Sequence, residues 1–255
     1  MFVDPTLHAD VVTDWNTAAL NAIRAANTPP PTASRNLAIL HASIFDAVNG
    51  IDRTYEHYFA TGNVPDSSST QAAAAAAAHK VLAALYPALH PQFDSLYVQS
   101  LSAVHDGPRK QHGVEWGEDV ASAILQSRST DGWANNVPYT PGTNPGEWRP
   151  TVSFGGIVRP ALLPQWGSVQ PFGLTRASRF RPPAPPPLNS VHYAAEVNQV
   201  KALGAAIGSI RTAEQTQIAR FWGYGPATAT PPGHWNQIAQ AVALRQHNTL
   251  EQNSR

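Results

Sequence analysis

Ten histidines and no cysteine set the chemistry open to this chain. Without sulfur there is no thiolate nucleophile, no disulfide and no sulfur-ligated zinc or iron–sulfur centre, which leaves imidazole, carboxylate and guanidinium groups. The spacings that put two ligands on one helical face, His-x-x-x-His, Glu-x-x-His and His-Glu-x-x-His, are absent. The sequence therefore predicts no local metal site. A Gly-x-Ser-x-Gly elbow, a Gly-x-x-x-x-Gly-Lys phosphate loop and a Gly-x-Gly-x-x-Gly turn are also missing, so no residue is assigned as catalytic or cofactor-binding.

Three polar residues stand out because they interrupt an apolar pattern. His41 lies among Leu37, Leu40, Ile44, Phe45 and Val48, near enough to Asp46 to be tuned as a base, although a histidine satisfied in the core is the simpler reading. An unpaired carboxylate between Ile44 and Val48 would be costly to bury, so Asp46 needs a partner. An ion pair or helix-end contact is the default, and a polar role in a binding cavity is the alternative. Arg35, His41 and Asp46 are accordingly read as structural polar residues. Arg176, Arg179 and Arg181 around Phe180 could meet a phosphate, but beside a proline run they are more simply solvated loop charges.

The elements that must position these residues are helical. Val11, Val12, Trp15, Ala18, Ala19, Ala22 and Ile23 recur at helical spacing until Pro29-Pro30-Pro31 stops them. Thr32 or Ser34 is expected to cap a second helix that carries the His41 stripe and closes at Gly50. Ser68 with Gln71 forms a capping box ahead of Ala72 to Ala78, a tract read as a small-residue face for close helix packing. Segments from Pro91 to His105 and Pro108 to Ser127 complete an N-terminal helical bundle over residues 1–130. The fold class is all-α.

From 131 to 189 the pattern changes, with twelve of the 23 prolines alongside Trp133, Trp148, Phe154, Trp166, Phe172 and Phe180. Proline at this density excludes helix and central strand, and aromatics are rare in disordered spacers, so an ordered wrapping segment is expected. Helices resume over 190–255, where Tyr193, Val197, Val200, Leu203 and Ile207 share a stripe and Thr212 with Gln215 makes another capping box. A third box, Thr249 with Gln252, opens a helix with only a few residues after it. That feature is read as a second helical group truncated at its C-terminal end, with a frayed polar tail as the alternative.

Composition narrows the partners. Lysine plus arginine equals aspartate plus glutamate at 17 each, so no overall field favours nucleic acid or an anionic membrane. Met1 to Asn16 carries Asp4, Asp10 and Asp14 without a basic region or apolar run, and reads as neither signal peptide nor spanning helix.

Several stretches, in order, resemble the N-terminal helical portion of bacterial vanadium-dependent haloperoxidase-related proteins in the type 2 phosphatidic acid phosphatase superfamily. They are Ser34 to Asn49, the alanine-rich Gln71 to Leu85, Arg128 to Gly132, Pro145 to Thr151, Phe180 to Pro183, and Trp222 with Trp235-Asn236. The resemblance implies vanadate as cofactor of the complete enzyme, with halide oxidation by hydrogen peroxide or phosphomonoester hydrolysis at the equivalent anion pocket. It also implies that the pocket is built from a Lys and Arg-Pro stretch, a Pro-Ser-Gly-His stretch, and a further Arg with a His. None of these is present here; Arg149-Pro150 and Arg181-Pro182 lack the lysine pattern and fall in the proline-rich segment. The chain is thus expected to be a non-catalytic half, inactive alone, completed by a missing segment or second polypeptide, with Trp148, Trp166, Trp222 and Trp235 as channel-wall candidates. A stand-alone helical scaffold, binding module or homo-oligomer is the alternative.

Overall fold

A computed structural model describes residues 10–152, 156–225 and 227–255. Asp4 and Phe154, singled out above, lie outside the described residues. The chain is all-α: α1 (Val11–Ala25), α2 (Pro30–Asp52), α3 (Thr70–Leu85), α4 (His90–Ser102), α5 (Pro108–Arg128), α6 (Val191–Gly204), α7 (Ala213–Trp222), α8 (Thr230–Gln246) and α9 (Leu250–Ser254). Two compact units result, one comprising 1–130 with 224–255, the other 131–223. The second helical group expected over 190–255 is therefore divided, α6 and α7 clustering with the proline-rich segment and α8 and α9 with the N-terminal bundle. Among the described residues no single helix is long and apolar enough to cross a membrane.

α3 is the axis of the first unit. Ala72 to Ala78 are all buried, and alanine both favours helix and lets neighbouring backbones approach closely. α5 answers with Gly113 and Gly117 on one face. A Cβ at Gly113 would stand 2.4 Å from the Ser69 carbonyl oxygen, and one at Gly117 would stand 2.2 Å from that of Ala73. Small-residue packing on the alanine tract is thus reciprocal, and it brings the two helices closer than side chains would permit.

Several helix ends differ from the sequence expectation. α2 begins at Pro30, with Pro29 at the cap and prolines at its first two positions. The prolines that end α1 therefore also start α2, since the first turn needs no backbone N–H partner and proline presets φ. At its other end α2 runs past Gly50 to Asp52 and closes on Arg53 in the left-handed region at φ 52°. Gly50 instead lies under Trp116, where a Cβ would come within 2.5 Å of the ring. The α3 cap is Ser69, whose hydroxyl accepts from the Ala72 amide, one residue later than the Ser68 expectation.

Both remaining capping boxes form, Thr212 with Gln215 and Thr249 with Gln252. α9 is short but not frayed: Asn253 Nδ2 donates to Asp10 Oδ2 at 2.9 Å, Arg255 Nη1 donates to the Tyr55 hydroxyl at 2.6 Å, and Ser254 is buried. Asp10 serves two ends at once, because its other oxygen caps α1 by accepting from the Val12 and Thr13 amides.

In the second unit the described residues of the 131–189 segment are irregular apart from a 3-10 turn at Pro164–Ser168 and an isolated bridge between Val152 and Val158. Its turns are tied locally. Glu147 accepts from the Thr143 and Asn144 amides, which hold its carboxyl below the usual range, and Gln165 Nε2 donates to the Trp133 carbonyl at 2.7 Å. α6 and α7 contain no buried residue, and Val191, Val200, Ile218 and Phe221 are exposed.

Candidate functional site

The second half of α2 carries the buried polar residues Asp46 and Asn49. Asp46 is fully buried, and its partners are three successive backbone amides of the loop that follows α2: Tyr58 at 2.6 Å to Oδ1, then Phe59 at 2.9 Å and Ala60 at 2.8 Å to Oδ2. The ion pair or helix-end contact expected from sequence is replaced by this amide cradle. Backbone donors satisfy a buried carboxylate without importing a second charge, so the desolvation cost is met by charge-assisted hydrogen bonds. One helical turn on, Asn49 pairs with both backbone groups of Tyr55, accepting from its N–H and donating to its carbonyl, each at 2.8 Å. Arg53 closes the same loop through the Val64 carbonyl and Asp66. An irregular stretch of this length is thereby ordered from one helix face.

Arg35 and Arg128 are buried beside this region. Arg35 Nη2 donates to the Arg128 backbone carbonyl at 2.8 Å, and the Arg128 guanidinium hydrogen-bonds the Tyr58 side chain. Burial raises the Tyr58 hydroxyl above its ordinary value; the Arg128 charge opposes the rise and Asp46 adds to it. Tyr58 is therefore a protonated, neutral group at physiological pH.

His41 occupies a separate place on α2, between α1 and α8. Its Nε2 is 2.9 Å from Asn16 Oδ1, and Asn236 is a further side-chain partner. The small cavity beside it, about 80 Å³, is bounded also by Val12, Ala239 and Gln240. Burial lowers the imidazole to about 4, and the Asn236 hydrogen bond only partly counters that. With Asn16 Oδ1 able only to accept, the neutral ring carries its proton on Nε2. His41 and Asp46 do not share a hydrogen bond: each has its own partners, so the two do not form a base and its orienting carboxylate.

Three of the four candidate wall tryptophans lie in the second unit and one in the first. Trp148 packs edge-on against Tyr139, and Trp222 edge-on against Phe221, both in the second unit. Trp166 lies in the 3-10 turn of that unit, whereas Trp235 is on α8 of the first and is 61% exposed. Vanadate requires several cationic and N–H donors converging on one oxoanion. The buried arginines are engaged within the bundle as described, while Arg149 and Arg181 are on the irregular segment, Arg181 exposed beside Arg179, which stacks over Phe180.

One group escaped the sequence search. His79 on α3 and His90 with Asp94 on α4 bring their potential ligand atoms within 4.8 Å of one another. The spacings considered in the sequence all lie on one helix, whereas this set spans α3 and α4. A separate groove of about 610 Å³ runs along Ser68–Gln71 and Ala103–Arg109, and the sequence held no signal for it.

Comparison with known proteins places this geometry in a fold. No family model matches the chain, and no curated protein matches it. Among solved structures, it is similar to a bacterial vanadium-dependent iodoperoxidase, with a TM-score of 0.76 at 21% identity, over 100% of this chain. The chain spans 65% of that protein's length. The likeness is one of fold: this helical architecture is shared with a vanadium-dependent haloperoxidase.

Proposed function

We propose that this chain forms the helical scaffold of a vanadium haloperoxidase-like protein whose oxoanion-binding residues are carried by a further segment or a second polypeptide. The observation that carries the reading is the fold likeness to the iodoperoxidase across the whole of this chain. It is joined by the sequence, whose Arg-Pro dipeptides lack the lysine pattern and which holds no Pro-Ser-Gly-His stretch. On this reading the amide-bound Asp46 and the neutral His41 are structural, holding the loop after α2 and the α1–α8 contact. Exposed apolar residues on α6 and α7 are consistent with covering by such a segment or polypeptide. The completed protein would oxidise a halide with hydrogen peroxide, or hydrolyse a phosphomonoester at the equivalent anion pocket.

The test is the intact mass of the natural product together with its genomic neighbourhood. The reading predicts Lys, Arg-Pro and Pro-Ser-Gly-His stretches in the same reading frame or in an adjacent gene. A product of this sequence alone, with no such stretches beside it, would favour a self-sufficient scaffold or binding module and overturn the proposal.

A further inference from the structure

We propose that His79, His90 and Asp94 form a surface site for a borderline divalent cation of the zinc, cobalt or nickel type, clipping α3 to α4. The argument begins with the bend between these helices. α3 ends at Leu85, a short 3-10 turn at Pro87–Leu89 follows, and the chain departs at 119° to the α3 direction. That bend returns the first turn of α4 to the outer face of α3, where His79 lies one and a half turns before the α3 end. His90 and Asp94 are four residues apart on α4 and therefore share a face.

The three side chains converge. His79 Nε2 is 2.7 Å from Asp94 Oδ1, and His90 Nδ1 is 3.2 Å from Asp94 Oδ2. Both imidazoles thus aim a ring nitrogen at one carboxylate, and the hydrogen bond from His79, with the lesser influence of His90, holds that carboxyl below its usual range. His79 is also held in orientation. Its ring stacks on Tyr97 at 4.4 Å between centroids with a 12° interplanar angle, and the edge of Trp15 meets it at 6.1 Å. Trp15 is itself anchored by donating its indole N–H to Ser100 at 3.2 Å. One ligand is therefore fixed by aromatic packing, while His90 and Asp94, half-exposed at 50% and 51%, are free to adjust.

The chemistry selects the ion. Two neutral imidazoles and a carboxylate are the donor set of three-ligand zinc sites, with water completing a tetrahedron. Tetrahedral bonds of about 2.05 Å place donor atoms about 3.3 Å apart; the 2.7 Å His79–Asp94 contact must open and the wider separations, all within 4.8 Å, must close, which the exposed pair can supply by rotamer adjustment. Hard cations such as magnesium prefer all-oxygen shells and are disfavoured here. Binding displaces the hydrogen bonds that now join the imidazoles to Asp94.

The test uses the full chain, tag-free and stripped with chelator, titrated with zinc chloride by calorimetry and with cobalt chloride by visible absorption. The expected result is one saturable equivalent, tetrahedral cobalt bands, and a rise in Tm of about 5 °C or more at a hundredfold excess over Kd. Asp94→Asn and His90→Gln, both at exposed positions, should each weaken binding by more than the roughly tenfold that loss of an outer-shell partner costs. His192→Gln, which removes an exposed histidine from an unrelated His–Glu pair on α6, should leave it unchanged. No saturable binding, or binding that survives both α4 substitutions in proteins with wild-type circular dichroism, would overturn the site.

Discussion

Replacing Asp46 with asparagine is the sharpest probe of how the first unit is built. The carboxylate accepts three amide hydrogen bonds with both oxygens, Tyr58 on one and Phe59 with Ala60 on the other. Asparagine offers one acceptor oxygen. In either orientation it turns an NH₂ group toward at least one of those amides, so no more than two of the three bonds survive and a donor faces a donor. Hydrogen bonds to a charged acceptor contribute about 1.5–3 kcal/mol each, and a buried donor left unmet costs about 1–3 kcal/mol, giving a loss of about 2–4 kcal/mol for Asp46→Asn. For a unit of this size that lowers Tm by about 5–10 °C. The side chain of Asp66, paired with Arg53 but 82% exposed, supplies the contrast: Asp66→Asn should change stability by less than about 1 kcal/mol. Urea denaturation followed by circular dichroism measures both, and amide exchange at 58–60 reports the cradle directly. An Asp46→Asn protein with an unchanged midpoint and wild-type exchange at those three amides would refute the reasoning.

Acid should weaken the fold through His41. Its folded value of about 4 lies below the ordinary 6.5, so the unfolded chain binds the extra proton first; the stability is fully present above about pH 6.5 and is lost as pH falls toward 4. The loss amounts to at most about 3 kcal/mol, and urea midpoints at stepped pH should show it in the wild type and a flatter profile in His41→Gln. Gly117→Ala should force α3 and α5 apart, because its Cβ would meet the Ala73 carbonyl oxygen at 2.2 Å, with a cost of about 2–3 kcal/mol by chemical denaturation. Gly167→Ala, with open space around it, should be near neutral in the same assay. Thr249→Ala removes the acceptor for the Gln252 amide and should cost about 1 kcal/mol, read as faster exchange of that amide.

What was legible in the sequence follows the range over which each signal acts. The apolar spacing of α1 and α2, the alanine face of α3 and the boxes at Thr212 and Thr249 are local patterns, and each appears in the structure as a helix or cap. Errors arose where one residue type has two local uses. Pro30 and Pro31 were expected only to break a helix, yet proline also suits a first turn. Gly50 was expected to end α2, but its lack of a side chain is needed by the Trp116 ring, 66 residues away in sequence. Asp46 was recognised as needing a partner, but its amide cradle lies in an irregular loop with no residue signature. The His79 group was hidden for a related reason: the turn after α3 creates it, and no single helix contains it.

The proposal that these 255 residues supply a scaffold and not the oxoanion site is tested most directly by vanadate titration of the isolated chain. Vanadium-51 NMR with parallel assays of halide oxidation by hydrogen peroxide is the measurement. A scaffold leaves vanadate free throughout the titration and gives no turnover above the protein-free rate. Saturable vanadate binding at micromolar concentration, accompanied by halide oxidation, would contradict it.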